Sequence, residues 1–329
     1  MSEPLLSVQD LCVEYFTPAG NVRAVDRVSF DIARGEVFGL AGESGCGKST
    51  IAQAILRILQ PPAAITGGSV LFEGTDVLAL DDAGLRAFRW RKLSLVFQSA
   101  MNALNPVLSV GEQIADVILA HEPVSKAEAW QRAEGLLELV GIDKARVRSF
   151  PHQLSGGMRQ RVVIAIALAL HPPFIIMDEP TTALDVVVQK EILQKIAELK
   201  DELGFSILFI THDLSLMLEL CDRVGILYAG RVAEIGASRT LLESPRHPYT
   251  KGLMASFPSV HGEREQLTGI AGSPPDMRRP PSGCRFHPRC SEALPRCSEE
   301  HPELIELGGR RVACHLHAAP EATVREAAS

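Results

Sequence analysis

Short apolar runs recur along the chain, and several open into polar or glycine-rich loops: "EVFGLAGESG" from residue 36, "KLSLVFQ" from 92, "FIIMDEP" from 174 and "SILFITHD" from 206. Apolar runs without alternation predict strands buried on both faces, as in a parallel sheet. The segments between them carry helical periodicity. In "SKAEAWQRAEGLLELVG" (125–141), Ser125 and Glu128 have capping-box spacing, Trp130, Ala133, Leu137 and Val140 form one stripe, and Gly141 marks the end. "VVVQKEILQKIAELKDELG" repeats the logic with Val188, Ile192, Ile196, Leu199, Leu203 and then Gly204. Strands alternating with helices predict an α/β sheet, whose ligands gather at the carboxyl ends of the strands.

The rhythm breaks near residue 240, where "ESPRHPYTKGL" and "AGSPPDMRRPPSGC" are rich in proline and glycine. We place a boundary between about 236 and 245, dividing residues 1–240 from an extension over 241–329. The extension has too few apolar residues to stand without a staple.

Composition narrows the class. A chain of 329 residues with 46% hydrophobic and 22% charged residues is ordinary for a globular protein, and its net charge of −7 gives no footprint for nucleic acid. The N-terminus lacks a basic stretch followed by an apolar one, and the longest aliphatic run, "VVIAIALAL" (162–170), is too short to span a bilayer. These features predict a cytosolic location, where disulfides are disfavoured.

The loop "GESGCGKST" (42–50) fits the phosphate-binding pattern G-x-x-x-x-G-K-[ST] between a predicted strand and a predicted helix. Gly42, Gly45 and Gly47 let backbone N–H groups turn inward, with Ser44 and Cys46 contributing backbone only. The helix N-terminus adds positive potential there. Lys48 is expected on the β- and γ-phosphates of a nucleotide, the Ser49 hydroxyl on Mg²⁺, and Thr50 beside it. Asp178 and Glu179 emerge from an apolar strand. Such a pair more commonly caps a helix, but beside a phosphate loop it suits magnesium binding and activation of water.

"LSGGMRQR" (154–161) resembles the signature sequence of ATP-binding-cassette (ABC) ATPases, and the remaining family motifs follow in order over residues 1–240. The resemblance implies a P-loop NTPase fold with a helical signature subdomain at about 100–165. It also implies adenine stacking by Tyr15, a Q-loop at Gln98 reaching magnesium and water, a D-loop ending in Asp185, and a switch histidine at His212. Glu179, His212 and Gln98 then form the catalytic set around ATP and Mg²⁺. Ser155, Gly156 and Gly157 precede a helical run and supply a second phosphate cradle, which in the family faces the ATP of a second cassette paired head to tail.

Past residue 240, "SPRHPYTKGLMASFP" and "GSPP…PPSGCRFHPRC" resemble the C-terminal extension of ATPase subunits from dipeptide and oligopeptide importers, most of all the dipeptide-permease type. This likeness implies two transmembrane permease subunits, a secreted or periplasmic peptide-binding protein, and a peripheral place on the cytoplasmic side of the inner membrane. One departure falls in the loop expected to meet the permeases: Ser99-Ala100 follows Gln98 where the family commonly has Asp-Pro. Nickel or another small solute is the alternative cargo. A soluble ABC ATPase of translation or DNA repair is the alternative class, although the chain lacks a second cassette and a long coiled-coil insertion.

Of the seven cysteines, six remain to be placed. Cys12 and Cys221 lie in apolar stretches and read as small hydrophobes. Cys284, Cys290, Cys297 and Cys314 form the set C-x5-C-x6-C-x16-C, which matches neither zinc-knuckle nor ferredoxin spacing. Spacing therefore leaves an iron–sulfur cluster, zinc and free thiols all open. Arg285, Arg289 and Arg296 are available to offset a cluster's negative charge, and resemblance to the dipeptide-permease tail implies a 4Fe–4S cluster.

Overall fold

A computed structural model describes residues 3–97, 103–182, 184–256 and 269–317. The four apolar runs become strands β3 (Val37–Ala41), β6 (Leu93–Val96), β7 (Phe174–Asp178) and β8 (Ser206–Ile210). They are parallel neighbours, with Val37 opposite Ile207, Phe174 opposite Ser206, and Leu93 opposite Phe174. Every residue of β3, β7 and β8 is buried, which is why these runs show no alternation. The parallel-sheet expectation is met.

The sheet continues through β9 (Arg223–Tyr228), parallel to β3, and β10 (Arg231–Ala237), antiparallel to β9. Two short strands, β11 (Ile305–Glu306) and β12 (Arg311–Val312), complete it in the order β11-β12-β10-β9-β3-β8-β7-β6. Residues beyond 300 thus extend the main sheet, with Val312 opposite Glu234.

A second sheet escaped the strand–helix rhythm. Strands β1 (Leu6–Thr17), β2 (Gly20–Ile32), β4 (Ala63–Phe72) and β5 (Thr75–Asp76) pair antiparallel in the order β2-β1-β4-β5. Register shifts interrupt β1 against both neighbours, which blurs the two-residue alternation a half-buried strand would show. Phe30 of this sheet stacks on Phe38 of β3 with centroids 5.1 Å apart. A core between the sheets encloses Ile51 and Ile55 of α1 (Lys48–Ile55).

A larger core lies around the parallel strands and the helices. It takes in Ile114 and Ile118 of α3 (Val110–His121), Ala133 and Leu137 of α4 (Lys126–Leu139), and Val162 of α5 (Gly156–Ala167). Helix α2 (Asp82–Phe88) buries Leu85 and Phe88 against the other core. The Ser125 hydroxyl caps α4 by accepting the Glu128 N–H at 3.1 Å, and Gly141 takes φ +75° after it. Helix α6 (Val186–Leu203) buries Ile192, Ile196 and Leu199 and ends on Gly204 at φ +72°. Leu203, expected on that stripe, is 37% exposed because it occupies the last turn before the cap. Helices α7 (Leu214–Leu220), α8 (Ser238–Glu243) and α9 (Pro248–Ala255) follow. Among the described residues no helix is long and apolar enough to cross a membrane.

Candidate functional site

Strand β3 delivers the chain into the phosphate loop, and the loop's glycines are required by sterics. Gly42 adopts φ +148°, and a Cβ there would come 2.2 Å from the Leu227 carbonyl oxygen. Gly47 adopts φ +105°, with the Ala24 carbonyl oxygen 2.5 Å from where its Cβ would stand. Neither conformation nor space admits a side chain. Ser44 and Gly45 are exposed at the loop's tip.

Helix α1 starts at Lys48, which is 5% exposed. Its Nζ donates to the Gly42 carbonyl at 2.7 Å and the Glu43 carbonyl at 3.2 Å, so the ammonium is held across the loop. The Ser49 hydroxyl donates to Asp178 Oδ1 at 3.1 Å, joining the two expected magnesium ligands across the ends of adjacent elements. Tyr15 is half-buried on β1, its hydroxyl 3.2 Å from Thr50 Oγ1. The Cys46 side chain is 3% exposed in the core behind the loop, with Lys48 Nζ 3.6 Å from Sγ. Burial pushes this thiol's pKa up.

Asp178 closes β7 and is 7% exposed. Burial raises its pKa, the adjacent Glu179 charge adds to that rise, and the Ser49 hydrogen bond opposes it. Glu179 follows in the left-handed region at φ +50° and is 6% exposed. Such a conformation costs on the order of 1–3 kcal/mol and persists only where surroundings over-determine it. Here the Glu179 N–H donates to the Ile210 carbonyl at 2.8 Å, the Thr182 hydroxyl donates to Oε2 at 3.1 Å, and His212 Nε2 lies 2.5 Å from Oε1. His212 sits just beyond β8, so neighbouring parallel strands bring these two side chains together. Gln98 lies outside the described residues.

The second cradle is built as a helix start. Ser155 is exposed, and its hydroxyl accepts the Met158 N–H at 3.3 Å as the N-cap of α5; Gly156 and Gly157 open the helix. A Cβ on Gly157 would meet Val188 Cγ1 at 2.6 Å, so α5 and α6 begin side by side. Asp185 caps α6 by accepting the Val188 N–H at 3.0 Å. Among the described residues, Ser155, Gly156 and Gly157 make no hydrogen bond to the phosphate loop of their own chain.

Among the described residues the four tail cysteines form no disulfide. Cys284 N–H donates to the Cys297 carbonyl at 2.8 Å, and Cys297 Sγ accepts the Leu294 N–H at 3.4 Å. Burial raises the pKa of Cys284 to about 11, with further increments from Cys297, Cys314 and Cys290. Burial likewise raises Cys290 and Cys314. The thiols therefore lie within electrostatic reach of one another. Among the described residues, no three His, Cys, Asp or Glu side chains are gathered so as to hold a metal ion. Arg285 and Arg289 do not serve the thiols as expected. Arg285 reaches Asp26 at 2.5 Å, and Arg289 forms two bonds to Glu43 at 2.8 and 3.0 Å. Arg296 donates to the His315 carbonyl. Sequence reasoning missed Glu43, an unspecified position of the phosphate-loop pattern, and Asp26, which belongs to no motif.

A glycine-built phosphate loop, a serine–aspartate pair beside it and a carboxylate–histidine pair at the next strand ends define a P-loop ATPase of the ABC kind. The family model "ABC transporter" matches residues 25–182, and "Oligopeptide/dipeptide transporter, C-terminal region" matches 233–297. The dipeptide transport ATP-binding protein DppD of Bacillus subtilis is 44% identical over 318 residues, spanning 95% of each chain. The oligopeptide transport ATP-binding protein OppD of Escherichia coli is 43% identical, covering 95% of this chain and 93% of its own. A dimeric structure of the ATP-binding cassette MJ0796 bound to ADP and Pi superposes with a TM-score of 0.64 at 30% identity, over 71% of this chain and 99% of that one. The chain belongs to the ABC transporter family, in the group carrying the oligopeptide/dipeptide transporter C-terminal region.

Proposed function

We propose that this chain is the ATP-hydrolysing subunit of an importer for di- and oligopeptides. It would sit peripherally on the cytoplasmic side of the membrane and act with separate permease subunits and a peptide-binding protein. The observation that carries the cargo is the union of a cassette match with a peptide-transporter C-terminal match in one chain. Residues 1–240 form the nucleotide-binding unit in this reading, and 241–329 the extension.

The site's donors suit Mg–ATP. Lys48 is positioned for the β- and γ-phosphates, and Ser49 and Asp178, already 3.1 Å apart, are a ready pair of oxygen donors for Mg²⁺. When bound, the metal neutralises charge that develops on the phosphates. Glu179 is the candidate general base: its fixed carboxylate would take the proton of the attacking water, with His212 orienting it from the exposed side. Tyr15 offers its ring to the adenine, and Gln98 completes the set.

Pairing with a second cassette, a copy or a paralogue, is supported by the exposed start of α6. Val186 and Val187 are 80% and 69% exposed beside the α5 start that carries Ser155, Gly156 and Gly157. An apolar patch next to an exposed helix N-terminus suits a surface that closes over a partner's nucleotide.

We also assign a 4Fe–4S cluster to Cys284, Cys290, Cys297 and Cys314, with zinc as the alternative. What supports the cluster is the likeness of the tail to the dipeptide-permease extension; among the described residues no three His, Cys, Asp or Glu side chains are gathered to hold a metal ion.

The test of the cargo is reconstitution. The purified complex in liposomes, given internal ATP and the binding protein, should accumulate labelled di- or oligopeptide, and Glu179→Gln should abolish uptake. ATP-driven accumulation of nickel without peptide would overturn the peptide reading.

A further inference from the structure

Glu43 occupies the second position of the phosphate loop, and all three of its polar groups are engaged. Its carbonyl accepts from Lys48 Nζ at 3.2 Å, inside the site. Its other two groups face the C-terminal extension: the N–H donates to Tyr249 Oη at 3.0 Å, and the carboxylate takes the two-pronged guanidinium of Arg289. The Arg289 side chain is only 7% exposed, and it donates to Tyr228 Oη at 3.2 Å as well. Hydrogen bonding to Glu43 raises the Arg289 pKa, so the guanidinium stays charged.

The platform beneath this contact is rigid. Tyr249 is wholly buried, with ring centroids 4.6 Å from Tyr228 and 5.4 Å from Phe286. Arg289 lies over the Tyr228 ring, its central carbon 5.7 Å from the centroid. Buried aromatic packing with a bidentate charged pair holds geometry more firmly than either alone.

We propose that Arg289 is a positioning residue through which the C-terminal extension fixes the phosphate loop. It acts on the nucleotide through Glu43, whose carbonyl in turn helps hold Lys48. Removing the pair frees the Glu43 side chain, leaving its backbone held by Tyr249 alone on the extension's side and the Lys48 ammonium less well placed. Weaker ATP binding should follow with little change in the chemical step. The proposal rests on the ATP-binding assignment, which titration of the wild-type chain checks separately.

The experiment uses the full-length chain, titrated with a fluorescent ATP analogue, and the assembled complex for KM and kcat. Arg289→Ala and Glu43→Ala should each weaken ATP binding roughly tenfold, the loss expected for one such pair. The double variant should show the same roughly tenfold loss, not their product, because both changes break one contact. KM for ATP should rise while kcat stays within about twofold, and Arg289→Lys should recover part of the loss, since it keeps charge but not the fork. Wild-type affinity in a folded Arg289→Ala chain would overturn the proposal, as would full additivity in the double variant. Should Arg289→Ala fail to fold, Glu43→Gln decides: weakened ATP binding upholds the link, and unchanged binding refutes it.

Discussion

His212 Nε2 stands 2.5 Å from Glu179 Oε1, yet the His212 side chain is 55% exposed and that of Glu179 only 6%. The pair spans the boundary between the buried strand ends and the solvent from which an attacking water must come. Glu179→Gln preserves the side chain's shape and one acceptor oxygen but removes the base. Full-length chain in the assembled complex should then bind ATP normally and hydrolyse it at least ~100-fold more slowly. Lys48→Ala should instead lower nucleotide affinity itself. Near-normal turnover by the Glu179→Gln complex would remove Glu179 from the chemistry.

Gly157 offers a test of the composite site, provided its packing is respected. Any side chain there meets Val188 Cγ1, so Gly157→Asp alone mixes a steric effect with an electrostatic one. Comparing Gly157→Asp with Gly157→Ala, both in a Val188→Ala background, isolates the charge. A carboxylate facing a partner's phosphates should cost at least about 1.4 kcal/mol, a tenfold fall in hydrolysis, while each chain's own nucleotide affinity stays unchanged. Equal hydrolysis by the two double variants would argue against the shared site.

The cysteine assignment predicts colour. Anaerobically purified chain should be brown with roughly four irons, and serine at any one of Cys284, Cys290, Cys297 or Cys314 should bleach it and expose the extension to protease. A colourless protein with one zinc would move the site to zinc. Metal-free protein with a protease-resistant extension would dismiss both.

His247 predicts a pH dependence of stability. Burial lowers its pKa from 6.5 to about 3, helped by the positive charges of His317, His301 and Lys251. Its Nδ1 accepts the Tyr249 N–H at 3.0 Å, a bond only the neutral ring makes. The folded chain therefore resists a proton that the unfolded chain accepts. Stability is fully present above about pH 6.5 and falls as pH drops towards 3, by roughly 2 kcal/mol at pH 5. Urea midpoints at pH 7.5 and 5.0 should reveal the fall, and His247→Asn, which keeps an acceptor, should reduce it, the remainder belonging to His301, whose pKa burial lowers to about 4. An equal slope in the variant would place the titration elsewhere.

Much of the site was legible because its chemistry is local. Loop 42–50, Asp178, Glu179 and Ser155–Gly157 each follow directly from a strand or open a helix, so pattern and geometry coincide. The antiparallel sheet was not legible, because bulges at Val8–Leu11 and Leu11–Val13 shift which face a residue meets. Nor were the partners of Asp26 and Glu43. Arg285 is 259 residues from Asp26 in sequence and Arg289 is 246 from Glu43, and no spacing rule connects residues so far apart. Arginines beside cysteines suggested charge balance at the thiols; their long side chains instead reach carboxylates of the cassette.

The pairing of β12 with β10 bears on how the protein is made. Strand β10 leaves the ribosome some seventy residues before β12 does, as residues 231–237 precede 311–312. Until those last residues emerge, β10 carries an unsatisfied row of backbone N–H and C=O groups along the margin of a finished sheet. Such a margin is adhesive. A stalled or prematurely terminated chain would thus leave the β10 edge at Glu234 and Ile235 open just when the rest of the cassette could already fold, a seam the finished subunit covers.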